Sequence, residues 1–194
     1  MFTDYYAEQT GATVYVPDFF DGEDVSTQLG DVPMHSAEAK AKLDLPAFIA
    51  KYHPREKSWP KIEAVAKEIK ALHPGKKLVR VVLCIVALPC IDAIGSLSDV
   101  CAPCPFLQGA VGFCWGAAGA LRLGSDHVAA DTQADAVAWA HPSVLELPGD
   151  IAQLTKPGCF AAAEVDTQLP KEKREMVEEE LIKLAKRGVY SSLQ

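Results

Sequence analysis

Apolar and polar residues follow two different periods along this chain. Where apolar residues recur every three or four positions, an amphipathic helix is predicted. Residues 59–72 show this most clearly. Ile62, Val65, Ala66, Ile69 and Leu72 form one stripe, Glu63, Lys67 and Lys70 lie outside it, and Pro74-Gly75 stops the run. Residues 171–187 give a second strong helix, with Met176, Val177, Leu181, Leu184 and Ala185 facing inward and Gly188 closing it. Residues 2–10 read as a short helix closed by Gly11, and 115–123 as one opened by small residues and closed by Gly124. Residues 36–51 have helical spacing in parts, and 148–154 are one or two helical turns. Short apolar runs bounded by breakers read as strands: 12–16, 78–88, 110–113, 134–140, 159–165 and the start of a last one at 189–193. Strands therefore alternate with helices, which predicts an α/β fold with a mainly parallel sheet covered on both faces. Sites in such sheets gather at the carboxyl ends of strands. Cys114, His141 and Asp166 are the polar residues predicted to stand there.

Composition narrows the class. The 194 residues are 49% apolar and 23% charged, ordinary values for one globular domain spanning 1–194. A formal charge of −7 argues against nucleic acid or an anionic membrane as partner. The first eleven residues carry Asp4 and Glu8 and have no basic stretch leading into an apolar run, so no secretory signal is read. The most apolar stretch, 81–88, is bounded by Arg80 and Pro89 and is too short to span a bilayer. A soluble, cytoplasmic protein with reduced thiols is the expectation for its six cysteines. Cys101-Ala-Pro-Cys104 has the spacing of redox and zinc sites, but no second such pair supplies further ligands. It is read as loop sequence, with a redox role as the weaker alternative.

The segment that carries chemistry is Gly112-Phe113-Cys114-Trp115-Gly116. It is G-x-C-x-G between a predicted strand and a predicted helix, the setting of a nucleophile elbow. The flanking glycines let the two backbones approach, and the central side chain projects clear of the sheet. Backbone N–H groups at the helix start face a developing oxyanion, and that of Trp115 is the natural donor. A thiol there needs a partner that lowers its pKa. The same five residues also suit a close-packed turn around a small buried cysteine. Asp166 reads either as a carboxylate orienting a histidine or as a turn aspartate beside Thr167 and Pro170.

On these residues the chain resembles the dienelactone hydrolase family, especially its fungal members. The likeness extends through Thr10-Gly11-Ala12-Thr13-Val14-Tyr15-Val16-Pro17-Asp18-Phe19-Phe20-Asp21-Gly22-Glu23, through Val111-Gly112-Phe113-Cys114-Trp115-Gly116-Ala117, through Ala140-His141-Pro142-Ser143 and through residues 162–170. The resemblance implies an α/β-hydrolase-like three-layer sandwich. It also implies Cys114 as nucleophile, Asp166 as triad acid, and hydrolysis of a lactone or related small-molecule ester through an acyl-cysteine, with no metal and no organic cofactor. In that family the triad histidine follows the last strand, whereas all five histidines here precede Asp166. Family members also begin with further strands and with a loop that completes the oxyanion hole. The expectation is therefore a fold incomplete at both ends, with impaired activity. His141 is read as a structural hydrogen-bonding residue, with a surrogate base as the alternative.

Residues 79–109 interrupt the resemblance. They hold four of the six cysteines and only three charged residues in 31, against 42 in the other 163. The preferred reading is a segment foreign to the fold, from a retained intron or mis-assigned coding sequence. The other is a genuine insertion in which 79–88 adds a strand. Two functional classes follow: a cysteine-dependent ester hydrolase, or a non-catalytic, truncated family member that binds a partner.

Overall fold

A computed structural model describes residues 2–23, 28–33, 36–73, 79–83 and 108–186. Its elements are α1 (Phe2–Thr10), β1 (Thr13–Tyr15), α2 (Ala37–Lys42), α3 (Leu45–Tyr52), α4 (Arg55–Leu72), β2 (Val79–Leu83), β3 (Gln108–Phe113), α5 (Gly116–Leu123), β4 (Ala136–Ala140), α6 (Gly149–Ala152), β5 (Gly158–Ala161) and α7 (Lys171–Lys186). The Cys101–Cys104 pair, residues 84–88 and residues 189–193 lie outside the described residues. The chain forms two compact units, Asp18–Ile62 and the remainder.

The larger unit is built on a parallel sheet in the order β1-β2-β3-β4-β5. This is the mixed, parallel architecture that the alternation of periods predicts. Val79–Leu83, the start of the atypical segment, lies between β1 and β3. Residues 110–113 of β3 are all buried, and successive side chains on a strand point to opposite faces. Both sides of the sheet are therefore covered at β3, which is why the strand reads as a continuous apolar run. On one face Val111, Phe113 and Ala140 form a cluster with Val14, Ala138 and Ala161 packed against it. On the other, Trp139 stacks on Phe160 with ring centroids 5.5 Å apart. A side chain at Gly124, which caps α5, would strike Val137 and Leu154 on that same face. Helix α5 is buried over almost its whole length. That fits its composition of alanine, glycine and leucine.

Several predicted boundaries move, each for a local reason. The 36–51 helix is two helices, because Asp44 accepts the N–H of Ala47 at 3.0 Å and Pro46 has no N–H to continue the ladder from Lys42. Helix α4 starts at Arg55 rather than 59. The Pro54 carbonyl accepts N–H groups from Lys57 and Ser58, and Pro60 lies inside the helix. In α7 the buried stripe is Val177, Leu181 and Leu184, while Met176 is exposed. Strand β5 ends at Ala161, its partner being Ala140, the last residue of β4. Beyond that point no ladder partner remains, and residues 162–165 are exposed. Asp166 therefore sits in the loop between β5 and α7, not at a strand end.

The smaller unit is organised locally. Asp18 accepts the N–H groups of Phe20 and Gly22, and the Phe20, Phe48 and Tyr52 rings pack together. Ser36 caps α2 by accepting the Ala39 N–H at 3.0 Å. Losing a cap of this kind costs about 1 kcal/mol. Ser36→Ala is expected to lower the urea midpoint accordingly, as read by circular dichroism. Among the described residues no helix is long and apolar enough to cross a membrane.

Candidate active site

The elbow is a product of close backbone contact. A Cβ on Gly112 would lie 2.3 Å from the Gly116 carbonyl oxygen and 2.7 Å from the Ala117 Cα. Only glycine lets β3 and α5 come this near. The chain reverses through Cys114, which adopts φ 54°. That conformation is strained for a residue with a side chain, and it lifts the side chain out of the strand–helix layer. The Ala117 N–H then donates back to the Cys114 carbonyl at 3.2 Å, and α5 begins.

Neighbouring strands hold this turn from the side. Phe113 stands opposite Ala140 in the parallel register of β3 and β4. Cys114 and His141 are therefore the first residues beyond two adjacent strand ends. The Cys114 N–H donates to the Ala140 carbonyl at 3.2 Å, and the Ser143 N–H donates to the Cys114 carbonyl at 3.1 Å. The His141 N–H reaches the Ala161 carbonyl at 3.4 Å. Four described non-glycine residues have left-handed φ, and Cys114, His141 and Val144 are three of them. Such strain persists only where the surroundings over-determine the backbone, and it concentrates at functional sites.

The sulfur of Cys114 is surrounded by polar partners. Its thiol donates to the Ser143 hydroxyl at 3.4 Å. The Trp115 N–H and the His141 side chain also hydrogen-bond to the sulfur. Burial is the largest single influence and works against the thiolate. Hydrogen bonding with His141, Ser143 and Trp115, with the charge of His141, outweighs it, so the pKa lies below the ordinary thiol value. Cys159 on β5 makes the contrast. Burial alone acts on it and pushes its thiol up, as expected of an inert cysteine. His141 moves the other way from Cys114. Its hydrogen bond with that thiol, aided by the negative charges of Cys114 and Asp166, raises its pKa despite partial burial.

Asp166 serves two directions at once. Its Oδ1 accepts N–H groups from Gln168 at 2.8 Å and Leu169 at 3.2 Å, the turn role that Thr167 and Pro170 suggest. Its Oδ2 is buried, with no hydrogen-bond partner among the described residues. A buried carboxylate oxygen without a donor is costly.

Of the residues singled out in the sequence, Cys114, Trp115, His141 and Asp166 all belong to this one end of the sheet. Matching against protein-family models aligns residues 9–189 with the dienelactone hydrolase family. The chain belongs to the dienelactone hydrolase family. Searches of curated proteins and of solved structures return no match. Family membership makes this a hydrolase of the α/β-hydrolase class, in keeping with the parallel sheet and the strand–elbow–helix at 108–123. Sequence reasoning missed a part for Ser143 in this family member. The residue is buried and holds Cys114 by both backbone and hydroxyl. The only advance signal was its place two residues after a histidine at a strand end. Among the described residues no cluster of three or more histidine, cysteine or acidic side chains could hold a metal ion.

Proposed function

We propose that this dienelactone hydrolase family member cleaves a lactone or related carboxylic ester through a thioester on Cys114. The observation that carries the reading is the setting of that sulfur. It stands on a left-handed residue at a strand–helix turn, with the Trp115 N–H directed to it. The thiolate attacks the ester carbonyl, and the carbonyl oxygen becomes an oxyanion within reach of the Trp115 N–H at the start of α5. Preorganised donors of this sort are among the larger contributors to acyl-transfer catalysis. Collapse breaks the carbon–oxygen ester bond and leaves an acyl-cysteine, which water then hydrolyses. Asp166 is the carboxylate that favours the positively charged form of the base serving this thiol. The polar groups gather at the carboxyl end of a parallel sheet, where ligands of such folds bind. A small-molecule ester or lactone is the substrate class suited to the reading.

The test is alkylation coupled to turnover. The chain is treated with iodoacetamide, labelled cysteines are mapped by mass spectrometry, and hydrolysis of an aryl acetate and of a small enol lactone is followed in parallel. Loss of turnover in proportion to Cys114 labelling, while Cys159 stays unmodified, is the expected result. Full turnover by chains alkylated at Cys114 would overturn the proposal. Absence of hydrolysis from a cooperatively melting chain would favour the partner-binding alternative.

A further inference from the structure

We propose that His141 is the general base of this chain: it takes the Cys114 proton and returns it to the departing oxygen. The inference rests on the thioester reading above and adds the residue that moves the proton. Its footing is topological. Parallel strands one position apart in a sheet lie about 5 Å from each other, and Phe113 and Ala140 face each other across that spacing. The next residue on each strand is Cys114 on one side and His141 on the other. Both take left-handed φ, 54° and 33°, so both side chains leave the pleat at the same edge. The Cys114 N–H bond to the Ala140 carbonyl ties the two bends together.

The neighbours of the imidazole suit a group that cycles its charge. Its ring centroid lies 6.2 Å from that of Phe113, an apolar flank. The titratable groups that act on it are Cys114 and Asp166, both anionic when ionised. Asp166 keeps Oδ1 occupied by the Gln168 and Leu169 N–H groups, and its Oδ2 faces no donor. An imidazolium is the charge that this carboxylate favours, so Asp166 acts as a positioning residue through His141.

The proton account closes. Cys114 S–H transfers its proton to the neutral imidazole, giving thiolate and imidazolium. The thiolate forms a carbon–sulfur bond to the carbonyl, the ester carbon–oxygen bond breaks, and the imidazolium protonates the departing oxygen. Water attacks the thioester and gives its proton to the imidazole. The carbon–sulfur bond breaks, the thiolate–imidazolium pair returns, and the acid is released. The imidazole beside the sulfur draws the thiol pKa down, so thiolate is present at lower pH than in an ordinary cysteine.

The experiment measures the rate of iodoacetamide alkylation at Cys114 against pH in wild type, His141→Asn and Asp166→Asn, with aryl acetate hydrolysis alongside. Asparagine tolerates left-handed φ, so it respects the backbone at 141. At 166 it keeps an acceptor for Gln168 and Leu169. In His141→Asn the alkylation midpoint is expected to rise by about one pH unit or more, a tenfold loss of thiolate below the midpoint. Hydrolysis is expected to fall by about 10² to 10⁴-fold. Asp166→Asn should move the midpoint the same way by less. A folded His141→Asn chain with an unchanged alkylation profile overturns the role of His141 and leaves the thiol reading standing. Hydrolysis that survives Cys114→Ala removes both. If His141→Asn does not fold, NMR titration of the His141 ring decides. Its midpoint should drop in Cys114→Ala relative to wild type, and an unchanged midpoint counts against the pair.

Discussion

Cys114→Ala is expected to lower kcat for ester hydrolysis by about 10⁴-fold or more, the scale seen when a covalent nucleophile is deleted. What survives should come from the Trp115 donor and substrate binding alone. Alanine meets the same left-handed backbone as cysteine, so the fold should tolerate the change and the loss should be chemical. Cys114→Gly sharpens this point. Glycine occupies φ 54° without the penalty that other residues pay, roughly 1–2 kcal/mol. The glycine variant is expected to melt no lower than the alanine variant while remaining as inactive. Steady-state kinetics and thermal melts of the two side by side give the answer. A glycine variant that melts well below the alanine one would mean that the turn at Cys114 carries no strain. This pairing of strain with chemistry is what a residue held for function should show.

Gly112→Ala is expected to have the largest effect of any change that leaves the reacting groups intact. The new methyl would meet three backbone atoms, the nearest at 2.3 Å. Backbone cannot swing aside as a flexible side chain does, so β3 and α5 must separate. Overpacking of this severity costs about 3 kcal/mol. The separation also displaces Cys114 from the donors that surround it, and a shift of about 1 Å in a reacting group can cost 10²-fold in rate. Urea denaturation should show the lower midpoint. Residual hydrolysis by the folded fraction should fall by about that factor, at an unchanged pH optimum. A variant with wild-type stability would show that the strand and helix do not meet as closely as the contact demands.

The elbow illustrates how much of such a site is legible in advance. Its glycine spacing, the run of apolar residues before it and the small residues after it all act within ten residues of one another. Local sterics therefore leave one solution. Asp166 was placed less well. Its strand was drawn four residues too long, because Ala162, Ala163 and Val165 look like strand residues until one knows that β4 ends at Ala140. Ser143 carried little local signal beyond its place after His141, since its role depends on reaching Cys114 across a strand boundary.

By itself, the sequence determined the period of each helix, the parallel α/β character of the sheet, and the glycine-flanked cysteine bend. These follow from contacts between residues close in the chain, where side-chain size and backbone freedom decide the outcome. The tertiary structure alone decided that His141 and Ser143 meet the sulfur of Cys114, and that one oxygen of Asp166 is left without a donor. The first of these depends on the register of β4 against β3. Register is set by packing of whole strands against a shared core, so no short stretch of residues encodes it.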